Sequence, residues 1–302
     1  MNTLSGLYPI AMALLSALMF AFTFLFVRIG VKTATTTTAL WITLFVNVVF
    51  LWSLSLLIYG VQFQDWWQWR YFFLSGVFAP LLGRMFQFQG MARLGANITT
   101  PLTLTHPVIS VLLAIAFLGE QITWLGFTGA MLVVIGSVVV GSEGGQQQTS
   151  SLNSVSRVYL LLPMAASLCY GVSVVFRKMG IDLGTDAITA AAVTCTSSWL
   201  FASAYVLATG QPRKIRCTRR ELKFFVLAGI FSALGPMLLY LSLQHEGLVV
   251  IAPIAATTPL FVLLASWVFL RADELFSRKV VAGTVATVTG VVLVSAYGIA
   301  AG

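Results

Sequence analysis

Apolar residues along this chain collect into runs long enough to cross a lipid bilayer. A helix needs about 20 apolar residues to span the hydrocarbon core. Ten such runs fit: 7–27, 38–59, 70–91, 96–118, 123–141, 157–178, 186–208, 221–243, 248–270 and 277–299. The polar gaps are short except for 142–156, which is rich in Gly, Gln and Ser and reads as flexible, and the basic stretch 210–220. This pattern predicts an all-α integral membrane protein of ten transmembrane helices.

The two halves resemble each other. At an offset of 150, Phe26, Arg28 and Gly30 fall on Phe176, Lys178 and Gly180; at 153, Gly76 and Phe78 fall on Gly229 and Phe231. At 152, Gly95, Pro101, Thr105, Pro107 and Phe117 fall on Gly247, Pro253, Thr257, Pro259 and Phe269; at 154, Glu120, Gly129 and Gly136 fall on Glu274, Gly283 and Gly290. A nearly constant offset across four helix pairs indicates duplication. The expected organisation is a first five-helix repeat over 1–141, a linker over 142–156 and a second repeat over 157–302. An odd number of helices per copy makes the second copy enter the membrane from the opposite side, as two inverted repeats. With both termini outside, thirteen Lys and Arg lie in or beside cytoplasmic gaps, six of them between Arg213 and Lys223. Only Arg70, Arg177 and Lys178 then fall outside, so the bias of basic residues favours this orientation. No Lys or Arg precedes the first run and further runs follow, which argues against a cleaved signal peptide.

Composition sharpens the class. Of the 302 residues 59% are hydrophobic and 9% charged, against roughly a quarter charged in soluble domains. The net charge of +8 is dispersed in short gaps, so it carries no nucleic-acid signature. Cys169, Cys195 and Cys217 have no metal-ligand or redox spacing. All nine acids lie in gaps or at helix ends, which removes a mid-span carboxylate for proton or organic-cation binding and an intramembrane aspartyl dyad. Two histidines without an HExxH pattern give no metal hydrolase. Glu120 and Glu274 are expected to cap the starts of the fifth and tenth helices. Glycines seven residues apart, Gly129/Gly136 and Gly283/Gly290, form smooth ridges suited to helix packing, within or between subunits.

Arg84 is the sharpest candidate for chemistry. An arginine so far inside a span costs about 2.5 kcal/mol or more to insert. It therefore either faces a cavity and binds a carboxylate or phosphate with its forked donors, or snorkels and braces backbone carbonyls. Gln87 shares its face at i+3, as a substrate contact or an interhelical one. Thr99, Thr103, His106 and Ser110, at steps of 4, 3 and 4, stack on one face that lipid does not solvate. His106 either titrates near neutral pH or stays neutral and hydrogen-bonded to a neighbour. Further candidates for a substrate-binding lining are Asn47, Tyr170, Trp199, Tyr240 and Gln244. Pro101, Pro107, Pro253 and Pro259 each remove a helical hydrogen bond, making gates or static bends at matching points of both repeats.

The segments GRMFQFQGMARLGA (83–96) and TPLTLTHPVISVLLAIAFLGE (100–120), with Gly129 and Gly136, carry a family resemblance; so do 239–270, Glu274, Gly283 and Gly290 in the second half. The chain resembles the EamA-type branch of the drug/metabolite transporter superfamily over essentially its whole length. That resemblance implies two inverted five-helix repeats, a central cavity formed largely by helices 1–4 and 6–9, and export of metabolites or amino acids. The LGE ending at Leu118–Glu120 reads Leu270–Arg271–Ala272–Asp273–Glu274 in the second half, and residues 7–27 hold no counterpart of the buried glutamate of the small multidrug relatives. The leading reading is a secondary transporter of a small anionic or zwitterionic metabolite such as an amino acid. Its alternatives are export of neutral or hydrophobic compounds with Arg84 structural, and a polytopic enzyme or channel. Expected partners are a small-molecule substrate and the lipid bilayer, with a proton or counter-substrate for coupling, in a monomer or homodimer. No cofactor, metal or nucleic acid is expected, and the location is a cell membrane of the bacterial inner type.

Overall fold

The computed structural model describes residues 3–30, 34–60, 67–94, 99, 102–143, 157–209, 215–270 and 278–301. The helices in chain order are α1 (Thr3–Gly30), α2 (Thr36–Tyr59), α3 (Arg70–Gly76), α4 (Gly83–Leu94), α5 (His106–Leu113), α6 (Trp124–Glu143), α7 (Leu161–Ile181), α8 (Ala187–Ala208), α9 (Arg219–Leu243), α10 (Leu248–Ala255), α11 (Thr258–Leu270) and α12 (Arg278–Ala301). Wide turns over Val77–Leu82 and Ala114–Leu118 join α3 to α4 and extend α5. No strand occurs among the described residues. The ten expected spans are present, with spans 3, 4 and 9 each broken in two. Five helices are long and apolar enough to cross a membrane unaided, and shorter apolar helices cover spans 4, 5, 9 and 10. Large apolar side chains such as Leu57, Phe117 and Trp124 stand exposed on the outside. The protein is a multi-pass membrane protein.

Local chemistry fixes several helix starts. Thr35 caps α2 by accepting from the Thr38 amide, and Asp186 caps α8 by accepting from the Thr189 amide. Thr218 and Glu221 form a reciprocal capping box at the start of α9.

Exchanging the two halves carries each main interhelical packing onto another. Helix α1 lies on α9 as α7 lies on α3 and α4, and α2 lies on α9 as α8 lies on α3. Helix α1 also meets α10 and α11 as α7 meets α5, while α2 with α8 and α6 with α12 map onto themselves. The equivalence reaches single contacts. A Cβ at Gly30 would meet Phe225 at 2.7 Å, and one at Gly180 would collide with Phe72. A Cβ at Gly235 would meet the ring of Phe20 at 3.2 Å, as one at Gly83 would meet that of Tyr170 at 2.7 Å. The predicted glycine ridges of α6 and α12 lie against each other inside one chain.

The prolines act where their chemistry requires. Leu104–Thr105 and Ala256–Thr257 interrupt the helices of spans 4 and 9 at equivalent points, each ending two residues before Pro107 or Pro259. Pro107 has no N–H to give the Thr103 carbonyl, and Pro259 none for that of Ala255. Pro253 is buried inside α10; Pro101 lies outside the described residues. A third break, absent from the sequence reading, falls in span 3. Ala79, directly before Pro80, takes extended φ −145° and ψ 131°. A proline disfavours the helical region for the residue ahead of it. The kink re-aims α4 one turn before Arg84.

Glu120 corrects an expectation. Rather than capping the fifth span, its carboxylate accepts the amides of Leu248 at 2.8 Å and Val249 at 2.7 Å, capping α10 in the other half. The positive end of α10 rewards that charge. A Cβ at Gly247 would meet Glu120 Oε2 at 3.0 Å, so a glycine there lets the carboxylate approach. Glu274 lies outside the described residues. Replacing Glu120 with Ala should lower stability by about 2 kcal/mol, and Gln should restore part of it by accepting one amide. Thermal melts of the detergent-purified variants read this, and equal melting of all three would contradict the cap.

Candidate functional site

Spans 3, 4 and 6 bring together Arg84, Gln87, His106, Tyr170 and Arg177, four of them expected from sequence and one not. Their meeting rests on glycines. A Cβ at Gly83 would meet the Tyr170 ring at 2.7 Å, and one at Gly171 would meet Ile109 at 2.7 Å and the His106 carbonyl oxygen at 3.3 Å. Tyr170 is the hub: its hydroxyl donates to Gln87 Oε1 at 2.9 Å, and its ring centroid is 5.6 Å from that of His106. The Gln87 nitrogen has no partner among the described residues.

Arg84, half-buried at the start of α4, makes no hydrogen bond or ion pair among the described residues. None of its nitrogens is sealed from accessible space. Arg84 lies within electrostatic reach of Tyr170, Arg177 and Cys195. A guanidinium with no hydrogen-bond partner and no carboxylate among the described residues is unusual inside a membrane protein, because its donors ordinarily find acceptors there.

His106 opens α5, where its Nδ1 lies 3.1 Å from the Thr103 carbonyl that Pro107 leaves without a donor. That bond places the proton on Nδ1 and leaves Nε2 an acceptor. In the second half Thr258 does the same work, its hydroxyl donating to Ala255 O at 3.0 Å. The histidine thus has a structural task that a hydroxyl can perform. His106→Thr should melt with the wild type, whereas His106→Leu, which orphans a carbonyl, should lose about 1–3 kcal/mol. Equal losses in both variants would refute this assignment.

The rest of the threonine stripe is largely spent internally. Thr103 Oγ1 donates to Thr99 O at 2.8 Å, and Ser110 Oγ to His106 O at 3.1 Å. Thr99 Oγ1 is buried without a partner among the described residues.

Other candidates sit elsewhere. Asn47 is 2% exposed and ties span 2 to span 8: its nitrogen fits the Thr43 and Gly229 carbonyls at 2.8 and 2.6 Å, and its oxygen fits the Ser232 hydroxyl. Its carboxamide is consumed by packing. Gln244 is exposed beyond the end of α9, donating to Thr185 O at 3.3 Å. Trp199 meets Trp41 and Phe45 in tilted ring contacts, centroids 5.7 Å apart in each case, and packs near Met85. Its buried Nε1 has no acceptor among the described residues. Tyr240 is fully buried; its hydroxyl lies 2.6 Å from Thr194 Oγ1 and its ring lies under Arg177, 5.6 Å from the guanidinium carbon.

Arg177 was missed by sequence reasoning, which assigned it to an outside gap. It sits inside α7, 8% exposed, with Nε donating to Ser75 Oγ at 3.1 Å. The neighbouring Lys178 instead pairs with Asp182 at 2.9 Å. Tyr170, Ser173 and Arg177, at steps of three and four, share a helix face, and that periodicity was the available signal.

A bundle of apolar spans with breaks at paired prolines and an unpaired cation inside defines a polytopic membrane transporter. The sequence profile of the EamA-like transporter family matches residues 7–142 and 157–296, and the chain belongs to that family. It is 25% identical over 220 residues, 73% of both chains, to a protein of Archaeoglobus fulgidus named "Uncharacterized transporter". It is also 30% identical over 110 residues to an Arabidopsis thaliana protein named "Probable magnesium transporter NIPA3", covering 36% of this chain and 27% of that one. A solved crystal structure superposes with a TM-score of 0.79 at 14% identity, over 96% of this chain and 99% of the other, which establishes the shared fold.

Proposed function

We propose that the protein is a secondary transporter that exports or exchanges a small anionic or zwitterionic metabolite, amino acids included, by alternating access between two inversely inserted repeats. The observation that carries this reading is Arg84: a half-buried guanidinium with no acceptor of its own among the described residues. Gln87 and Tyr170 stand beside it to add neutral hydrogen bonds, and His106 Nε2 supplies an acceptor. The proline breaks of spans 4 and 9 serve as hinges, because equivalent backbone interruptions in both repeats let each half bend alike. Both termini lie outside the cytoplasm of a bacterial-type inner membrane, and a proton or counter-substrate drives the cycle.

A cation cargo is less well served. Among the described residues no three acid, histidine or cysteine side chains converge, and a divalent cation needs oxygen ligands. Export of neutral or apolar compounds would draw on the Trp41–Phe45–Trp199 cluster and leave Arg84 structural. A carrier exchanges labelled for unlabelled cargo across a proteoliposome membrane, which a channel or enzyme does not. Arg84→Ala should lose that counterflow for an acidic or zwitterionic cargo, and unchanged exchange would end the proposal.

A further inference from the structure

We infer that Arg177 forms a second cationic subsite beside Arg84, so that the cargo carries two negative charges rather than one. This deepens the reading of Arg84 as an anion binder and rests on it.

The charge balance of the cluster leads there. Arg177 is 92% withdrawn from solvent, yet only its Nε is bonded, to Ser75 Oγ. Its terminal nitrogens have no partner among the described residues and are not sealed from accessible space. Its position is held from behind: Ser75 is locked to Ser173 Oγ at 2.8 Å, and the Tyr240 ring lies below the guanidinium. Both arginines lie along the seam of spans 3 and 6: Arg177 bonds to Ser75 of span 3, while Tyr170, two turns before it on the same helix, packs on Gly83 next to Arg84 and donates to Gln87. His106 is within electrostatic reach of Arg177.

Two guanidiniums therefore share one interior region. Among the described residues no acid pairs with either guanidinium: Asp182 is bound to Lys178, Glu120 caps α10, Glu221 closes its capping box, and Asp186 caps α8. Like charges buried together without counter-charge are costly, and a dianion removes that cost for both at once. A zwitterion neutralises one arginine and brings an ammonium for which the cluster offers no carboxylate. The shared chemistry of the cargo is two negative charges carried on oxygen, as on a dicarboxylate or a phosphate monoester. Forked donors suit either.

The test is a thermal-shift titration of the purified full chain with succinate, inorganic phosphate, acetate and glycine. Succinate or phosphate should raise the melting temperature saturably, while acetate and glycine should have little effect. Which dianion acts distinguishes a dicarboxylate site from a phosphate one. Arg84→Gln and Arg177→Gln should each weaken the dianion's apparent affinity by about tenfold or more, with Arg177→Lys falling between Gln and wild type. Loss in Arg84→Gln with wild-type affinity in Arg177→Gln would overturn this inference and leave the anion-transport reading intact. Wild-type affinity in both variants would overturn both. Should Arg177→Gln fail to fold, the Lys variant and the wild-type ranking decide: acetate or glycine binding as well as the dianions sinks the second subsite.

Discussion

Arg84→Ala should abolish exchange of an anionic cargo while leaving the protein at least as stable as the wild type. The two halves of that expectation come from one observation. Arg84 makes no hydrogen bond or ion pair among the described residues, so its removal deletes none there. It instead relieves the insertion penalty of an intramembrane charge, on the order of 2.5 kcal/mol. Loss of the cation from the binding step leaves the cargo's anion desolvated and unpaired, costing roughly 2–5 kcal/mol, or about thirtyfold to several thousandfold in affinity. Arg84→Lys keeps the charge without the fork and should retain part of the activity. Counterflow in proteoliposomes and thermal melts in detergent read the two halves. A variant that melts lower and still transports would place Arg84 among the braces of the fold, because a guanidinium that holds backbone carbonyls takes stability with it when removed.

Hydropathy and spacing made the spans and the duplication legible, because both depend on residues near one another in sequence. The prolines of spans 4 and 9 marked their own breaks. The break at Ala79 was equally written in the Ala–Pro pair, yet it was hidden inside an unbroken apolar run. What sequence order could not reveal were partners far apart. Glu120 caps a helix that begins 128 residues away. Asn47 spends its amide on span 8, so a polar residue inside a span became packing rather than lining. Arg177 was lost because a basic residue near a run's end was counted with the gap. Adjacent residues on a helix point about 100° apart, which separates buried Arg177 from its paired neighbour Lys178.

The duplication also explains why the candidate site is one-sided. Phe20 occupies on Gly235 the place that Tyr170 occupies on Gly83, and Thr258 replaces His106 at the second break. Arg84 and Gln87 have no charged or amide counterpart at the matching offset, where Met237 and Tyr240 stand. The backbone of the two halves has stayed equivalent while the polar chemistry has gathered on spans 3, 4 and 6.

Gly136→Ala should destabilise the chain by about 1–3 kcal/mol or more, and Gly136→Leu should prevent stable folding. Even one methyl group has no room. A Cβ at Gly136 would collide with Thr287 Oγ1 and lie 2.5 Å from the Gly283 carbonyl oxygen and 2.7 Å from the Thr287 nitrogen. The reciprocal face is as tight, since a Cβ at Gly290 would stand 2.6 Å from both Gly129 O and Val133 N. Backbone atoms cannot rotate away as a side chain can, so α6 and α12 must separate and forfeit the packing along their ridge. Thr287→Ala removes the hydroxyl from the collision and should rescue Gly136→Ala only in part, because the two backbone atoms remain. Val288→Leu, on the exposed face of α12, is the control and should melt like the wild type. Thermal melts of Gly136→Ala, Thr287→Ala, the double variant and the control complete a double-mutant cycle. Full rescue by Thr287→Ala would mean that the helices meet through that hydroxyl alone, and wild-type melting of Gly136→Ala would mean that they do not meet along this ridge.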